Sequence, residues 1–198
     1  MSNTVDFTRK GAIFVSTDTK RERTWKTRLE YFTCNVCFTK TYVWPWCQGC
    51  AKIVGGLEVK PSTIEGAGLG LFAMRDFDED DVVCQYGSRG WFPAKGLARV
   101  YGPTSNYVYL YETGRGHRID TAVKRTIASF INDNFDKGKI NCEFREYEDR
   151  KSSEVFIEAC APIKKGDELF VDYGEGYWMH SDKNLHTEIR FEELAGED

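Results

Sequence analysis

Two cysteine pairs carry the most legible chemistry in the chain. Cys34-x2-Cys37 and Cys47-x2-Cys50 stand nine residues apart, and four thiolates on one short segment have the spacing that tetrahedral zinc prefers. Four sulfurs leave no open coordination position, so the expected ion is a structural Zn2+ held in a closed, non-catalytic site by Cys34, Cys37, Cys47 and Cys50. A pair of redox dithiols is the alternative, but such pairs more usually sit at a helix N-terminus within a βαβ unit. Aromatic residues, Trp44 and Trp46 among them, surround the hooks and can pack around a small centre. Cys84, Cys142 and Cys160 lie far apart in apolar strand contexts and read as buried, reduced thiols. The chain has only His117, His180 and His186, none in a nucleophile motif, so cysteine-hydrolase chemistry fits poorly.

Three later segments gain meaning from their order. Gly66-Ala-Gly68-Leu69-Gly70-Leu-Phe72 allows close approach of backbone to a ligand, since glycine has no Cβ. In isolation a Gly-x-Gly is weak and reads equally as a hairpin turn. Phe130-Ile-Asn132-Asp133-Asn134 follows, with Asn141-Cys142 shortly after it, and Asp167-Glu-Leu-Phe-Val-Asp-Tyr173-Gly-Glu-Gly-Tyr177-Trp178 completes the series. Together the three resemble the SET domain of protein lysine methyltransferases, which put S-adenosylmethionine and a lysine at opposite ends of a narrow channel. The resemblance covers about residues 57 to 178. Two departures stand out. Where the family usually has Arg-Phe-Ile-Asn-His-Ser, this chain has Ser129-Phe-Ile-Asn132-Asp133-Asn134, and no cysteine follows Cys160 to form the family's carboxy-terminal zinc triplet.

Methyl transfer from a sulfonium requires a lysine that arrives in line, is neutral, and is shielded from water. A free lysine has a pKa of about 10.4, which desolvation in an aromatic channel and a nearby positive charge both lower. The resemblance implies that Gly68, Leu69, Gly70, Asn132 and Asp133 contact the cofactor. It implies that Tyr173 orients the amine and the departing methyl, and that Tyr86, in Gln85-Tyr86-Gly87, lines the lysine channel. The plainer readings are a core tyrosine ending an edge strand and an ordinary strand aromatic. Tyr177 and Trp178 are expected to stack on adenine or wall the channel, and with the tail to Asp198, or a partner, to close it. Val171 stands where many relatives place an aromatic residue, and Phe144, after the Asn-Cys pair, can fill the gap. A phenyl ring has no hydroxyl to hold a water, so the expected products are di- or trimethyl-lysine.

Around these residues the chain reads as mainly β with few helices, and the resemblance implies a SET-type β-clip with a knot-like core. The expected organisation is an N-terminal arm (1–30), a small zinc-binding module (31–54), a SET-like catalytic domain (55–180) and a tail (181–198). Strands are expected at 57–60, 69–74, 82–86, 107–111 and 117–120 from short apolar runs between glycine or charged turns. Val155–Cys160 and Glu168–Tyr173 should pair as neighbours across the Lys164-Lys-Gly-Asp turn. Val123, Ile127 and Phe130 at helical spacing predict a helix over Ala122–Ile131. Ala12–Val15 reads as a strand or arm, and Leu185 with Ile189 hints at a short C-terminal helix.

Content of 41% hydrophobic and 29% charged residues is ordinary for a globular chain. The N-terminus lacks a signal-peptide pattern, and no apolar run approaches the roughly 20 residues that span a bilayer, so an intracellular, reduced protein with no membrane partner is expected. A net charge of −4 argues against a dedicated nucleic-acid binder, though Lys20–Arg28 could touch phosphate weakly. Acidic clusters at Asp76–Asp81 and Glu192–Asp198 could steer a basic partner such as a histone tail, or are simply solvated. The expected activity is S-adenosylmethionine-dependent lysine N-methylation of a protein substrate, a histone or other lysine-bearing basic peptide. The family's habit implies a nuclear location and leaves cytoplasmic substrates open. The alternative is a SET-like zinc protein that has lost catalysis and serves as an interaction scaffold.

Overall fold

The regular structure of the described chain is mainly nine strands of two to seven residues, divided by turns rich in glycine and charge. The computed structural model describes residues 31–88, 110–114, 118–121, 124–148 and 153–175. The arm, Ala12–Val15, residues 107–109, Tyr177, Trp178 and the tail lie outside the described residues.

Strands β1 (Phe32–Thr33) and β2 (Lys40–Thr41) form a small antiparallel hairpin around the first cysteine pair. A short helix, Gln48–Cys50, widens into π-type turns over Ala51–Gly55 and carries the second. Gly56 ends it at φ +66°, where a Cβ would also press on Arg75 at 2.7 Å. The antiparallel pair β3 (Leu57–Pro61) and β4 (Leu69–Ala73) follows, in register from Leu57↔Ala73 to Pro61↔Leu69.

The main sheet has the order β5-β9-β8, all antiparallel, from β5 (Val82–Ser88), β8 (Cys142–Glu148) and β9 (Ser153–Ala159). β6 (Leu110–Glu112) pairs with β7 (Arg118–Asp120). The fold is thus mainly β, as the sequence pattern predicts. One core gathers Leu57, Leu71, Ile127, Ile157 and Leu169, all with almost no exposure. Among the described residues no helix is long and apolar enough to cross a membrane.

Two expectations are corrected. Of the helix expected over Ala122–Ile131, the described part is only a 3-10 turn at Ile127–Phe130, preceded by extended backbone at Thr126. Thr126 bridges in parallel to Trp44, with Trp44 N donating to Arg125 O and Ile127 N to Trp44 O, each at 2.9 Å. That bracket engages backbone groups that a helix would have used internally. It also fastens the cysteine-bearing module to the rest of the chain. The pairing of 155–160 with 168–173 is not formed either. β9 has β5 on one edge and β8 on the other, so no edge remains free for a third strand.

Residues 167–173 instead run along β4. Ala73 N donates to Asp167 O (2.9 Å) and Leu169 N to Leu71 O (2.8 Å). On the other side Val171 N donates to Asn132 O (3.0 Å), and Cys142 N to Phe170 O (3.0 Å). Asn141 completes the clasp, its Nδ2 donating to Glu168 O (2.9 Å) and its Oδ1 accepting from Phe170 N (2.8 Å). One side chain therefore replaces a missing strand neighbour. Asn141→Ala would leave the Phe170 N–H and the Glu168 carbonyl without this partner, and is expected to cost about 2 kcal/mol. Urea denaturation checks this, and a loss below about 0.5 kcal/mol would mean that water replaces the amide without penalty.

Candidate functional site

The glycine turn, Asn132 and the 167–173 segment meet at one place, on the edge of β4. The turn closes through Ser62 N donating to Gly68 O (2.9 Å) and Ala67 N to Ile64 O (3.2 Å). Gly66 and Gly68 hold φ of +75° and +79°, a region from which a Cβ is largely excluded. Gly70 is glycine for another reason. A Cβ there would stand 2.1 Å from Glu168 Oε1. The space that a side chain would fill holds a carboxylate.

That carboxylate is buried, 5% exposed, and each oxygen receives two donors. Oε1 accepts from Ser62 Oγ (2.6 Å) and Asn132 Nδ2 (3.3 Å), Oε2 from Thr63 N (2.6 Å) and Thr63 Oγ1 (2.5 Å). Asn132 Nδ2 also donates to Leu69 O at 3.0 Å. Glu168 lies within a motif that the sequence reading singled out, yet no role attaches to it there, because its partners are 36, 105 and 106 residues away.

Asp133 occupies the position where a histidine is usual, and its side chain has work of its own. Oδ1 accepts from Phe135 N (2.7 Å), steadying a residue at φ +60°, and Oδ2 accepts from Tyr173 N (2.9 Å). Ser129, in the place of the arginine, forms a capping box with Thr126, Thr126 N donating to Ser129 Oγ at 3.2 Å. The Tyr173 hydroxyl donates to Ile131 O at 2.5 Å. Its ring is thereby fixed one residue from Asn132. A hydroxyl that donates its proton to a carbonyl presents lone pairs to other neighbours.

A second group is aromatic. The Tyr86 ring meets Phe144 edge-on at 5.2 Å and Tyr111 at 6.1 Å, while Tyr111 lies tilted over Phe144 at 4.8 Å. Tyr111 is not singled out by the sequence pattern. The alternating tyrosines 107, 109 and 111 signal a strand, and nothing local says which of them meets Phe144. Its hydroxyl donates to Glu146 Oε1 (2.8 Å), and Gly114 N donates to Oε2 (2.9 Å). Burial and the Glu146 carboxylate push the Tyr111 phenol well above its ordinary range. Tyr86, Tyr111, Phe144 and Tyr173 all pack on the same core, which also buries Val171.

The four predicted metal ligands are brought together. The sulfurs of Cys34, Cys37, Cys47 and Cys50 all lie within 4.8 Å of one another, and zinc with bonds of about 2.3 Å sets its sulfurs about 3.8 Å apart. The Thr39 hydroxyl and backbone N–H lower Cys37 to about 6, whereas burial and the neighbouring sulfurs push Cys50 up to about 12. Such a set of soft donors is compatible with one tetrahedral zinc.

The family model described as SET domain matches residues 68–174, more than half of the chain. No curated protein matches the sequence. Among solved structures, ctPRC2 in an autoinhibited conformation bound to S-adenosylmethionine is 21% identical with a TM-score of 0.48, covering 70% of this chain and 17% of that one. The polycomb repressive complex 2 of Chaetomium thermophilum is 23% identical with a TM-score of 0.49, covering 61% and 15%. The chain therefore spans less than a fifth of either of these relatives.

Proposed function

Since the chain belongs to the SET domain family, we propose that it is an S-adenosylmethionine-dependent protein lysine N-methyltransferase. One observation carries the reading: Tyr173 is locked to the Ile131 carbonyl beside Asn132, where the glycine turn and the 167–173 segment converge. The residues present fit the cofactor. Gly66 and Gly68 turn with bare backbone, and Asn132, its amide nitrogen engaged by Leu69 O and Glu168, offers its Oδ1 to a donor such as the cofactor's ammonium. Gly68, Leu69, Gly70, Asn132 and Asp133 would hold the cofactor, with Tyr177 and Trp178 closing over it. When bound, S-adenosylmethionine supplies a methyl group on a sulfonium.

The protein's own part is positioning and desolvation. Tyr86, Tyr111 and Phe144 wall off water and so lower the pKa of an entering lysine. The Tyr173 oxygen, its proton committed to Ile131 O, accepts an N–H of the amine and aligns the nitrogen lone pair for attack. Phe144 and the buried Val171 add no hydroxyl to hold a water, which leaves space for more than one methyl. Histone tails are the first substrates to test, and a nuclear location follows from that assignment.

S-adenosylhomocysteine should bind both wild type and Tyr173→Phe in calorimetry, while Tyr173→Phe lowers kcat on histone-tail peptides by about a hundredfold. Cofactor binding by neither protein, with the fold intact, would leave an interaction scaffold as the better reading. After exhaustive turnover, mass spectrometry should find di- or trimethyl-lysine, and monomethyl product alone would refute the multiplicity assignment.

The same proposal makes residues 31–54 a structural zinc module and 55–180 the catalytic domain. Elemental analysis of the purified chain is expected to give about one zinc per molecule, and Cys34→Ser, at the buried ligand, to lose both the metal and the stability it brings. Full stability after complete chelation would rule the structural role out.

A further inference from the structure

We propose that Glu168 is the positioning residue of the cofactor site, an anionic peg that holds the glycine turn against Asn132. The inference rests on the methyltransferase reading and adds a residue which that reading does not need. Four donors converge on the carboxylate, and two of them, Thr63 N–H and the Asn132 amide, can only donate. They fall one on each oxygen, so no rotation of a neutral amide at position 168 would satisfy both. In a Glu168→Gln variant one of them always faces an NH2 group. The site therefore calls for two acceptor oxygens, a carboxylate, rather than a polar group of the same shape.

The geometry ties the peg to the surface that would meet the cofactor. Ser62 and Thr63 open the turn that Ser62 N and Gly68 O close. Ser62 Oγ also accepts from Ile64 N at 3.0 Å, so the hydroxyl that donates to Glu168 organises the turn behind it. The Asn132 side chain is held through its Nδ2, which leaves Oδ1 as the group it would present. Gly70 permits all of this, because a Cβ there would meet Glu168 Oε1 at 2.1 Å and Cδ at 2.8 Å. The third glycine of the run therefore has a second duty beside the ligand, to leave room for the peg.

The test is calorimetric titration of S-adenosylhomocysteine into the zinc-loaded full chain as wild type, E168Q, G70A, S62A and G70A/E168D, with thermal midpoints and hydrogen exchange recorded. E168Q and G70A are expected to bind at least about tenfold more weakly, and S62A to lose less. G70A/E168D, whose shorter carboxylate withdraws from the new methyl, should recover part of the G70A loss. In the weakened variants exchange should rise over residues 62–70 and near Asn132 and stay unchanged in β8 and β9, which a general loss of stability would not produce. If wild type binds and folded E168Q and G70A bind within about twofold of it, the positioning role is overturned. Should E168Q not fold, G70A and S62A decide the matter, and unaltered binding by both overturns it. Absence of binding by wild type removes the methyltransferase reading itself, and the peg with it.

Discussion

Glu168–Val171 can be buried only if the backbone of the segment around them finds partners, and those partners come from three distant parts of the chain. β4 supplies Leu71 O and Ala73 N along one side. Asn132, Asn141 and Cys142 supply the other, and the Asp133 carboxylate takes the Tyr173 amide at the end. Tyr173 belongs to this segment, Asn132 and Asp133 each accept a bond from it, and Tyr86, Tyr111 and Phe144 pack on the core it completes. Before the segment inserts, Asn132 has no Glu168 to meet and Tyr173 no Ile131 carbonyl. The site is therefore a product of long-range closure, a kind of contact that forms slowly because loop entropy is spent first.

The segment that carries the four cysteines is joined to this arrangement through backbone. Trp44 lies between the two cysteine pairs, and its N–H and C=O bracket Thr126 just ahead of the 3-10 turn that leads to Ile131 and Asn132. Trp46 reinforces the joint. Its ring sits 2.5 Å from where a Cβ on Gly55 would be. The four-cysteine cluster thus flanks a loop whose residue Trp44 is hydrogen-bonded to the backbone leading into the candidate site.

Features written in local spacing were legible from sequence. The paired cysteines, the glycine run, the Asn-Cys pair and the strands at 57–60, 69–74 and 82–86 each depend on neighbours within a few positions. What depended on distant neighbours was not legible. Helical spacing at Val123, Ile127 and Phe130 is real, but the Trp44 bracket offers the Thr126 region hydrogen bonds that an isolated helix could not match. β9 and the 167–173 segment are both apolar and adjacent in sequence, yet β5 and β8 occupy both edges of β9. Tyr111 joined the site only because β6 carries it over Phe144. At Asp133, where a histidine is usual, the carboxylate fastens the Tyr173 amide forty residues away, a contact that no local pattern announces.

The contact between Gly70 and Glu168 has an evolutionary reading. With 2.1 Å between a carboxylate oxygen and the place of a missing methyl, neither position tolerates change by itself. A larger residue at 70 evicts the acid, and loss of the acid leaves two distant segments of chain without a common acceptor. Drift at the two sites is correlated by geometry, so descendants of this chain should hold the pair together or exchange both members at once. Their joint presence in a sequence then marks an intact cradle even where the surrounding residues have diverged beyond recognition.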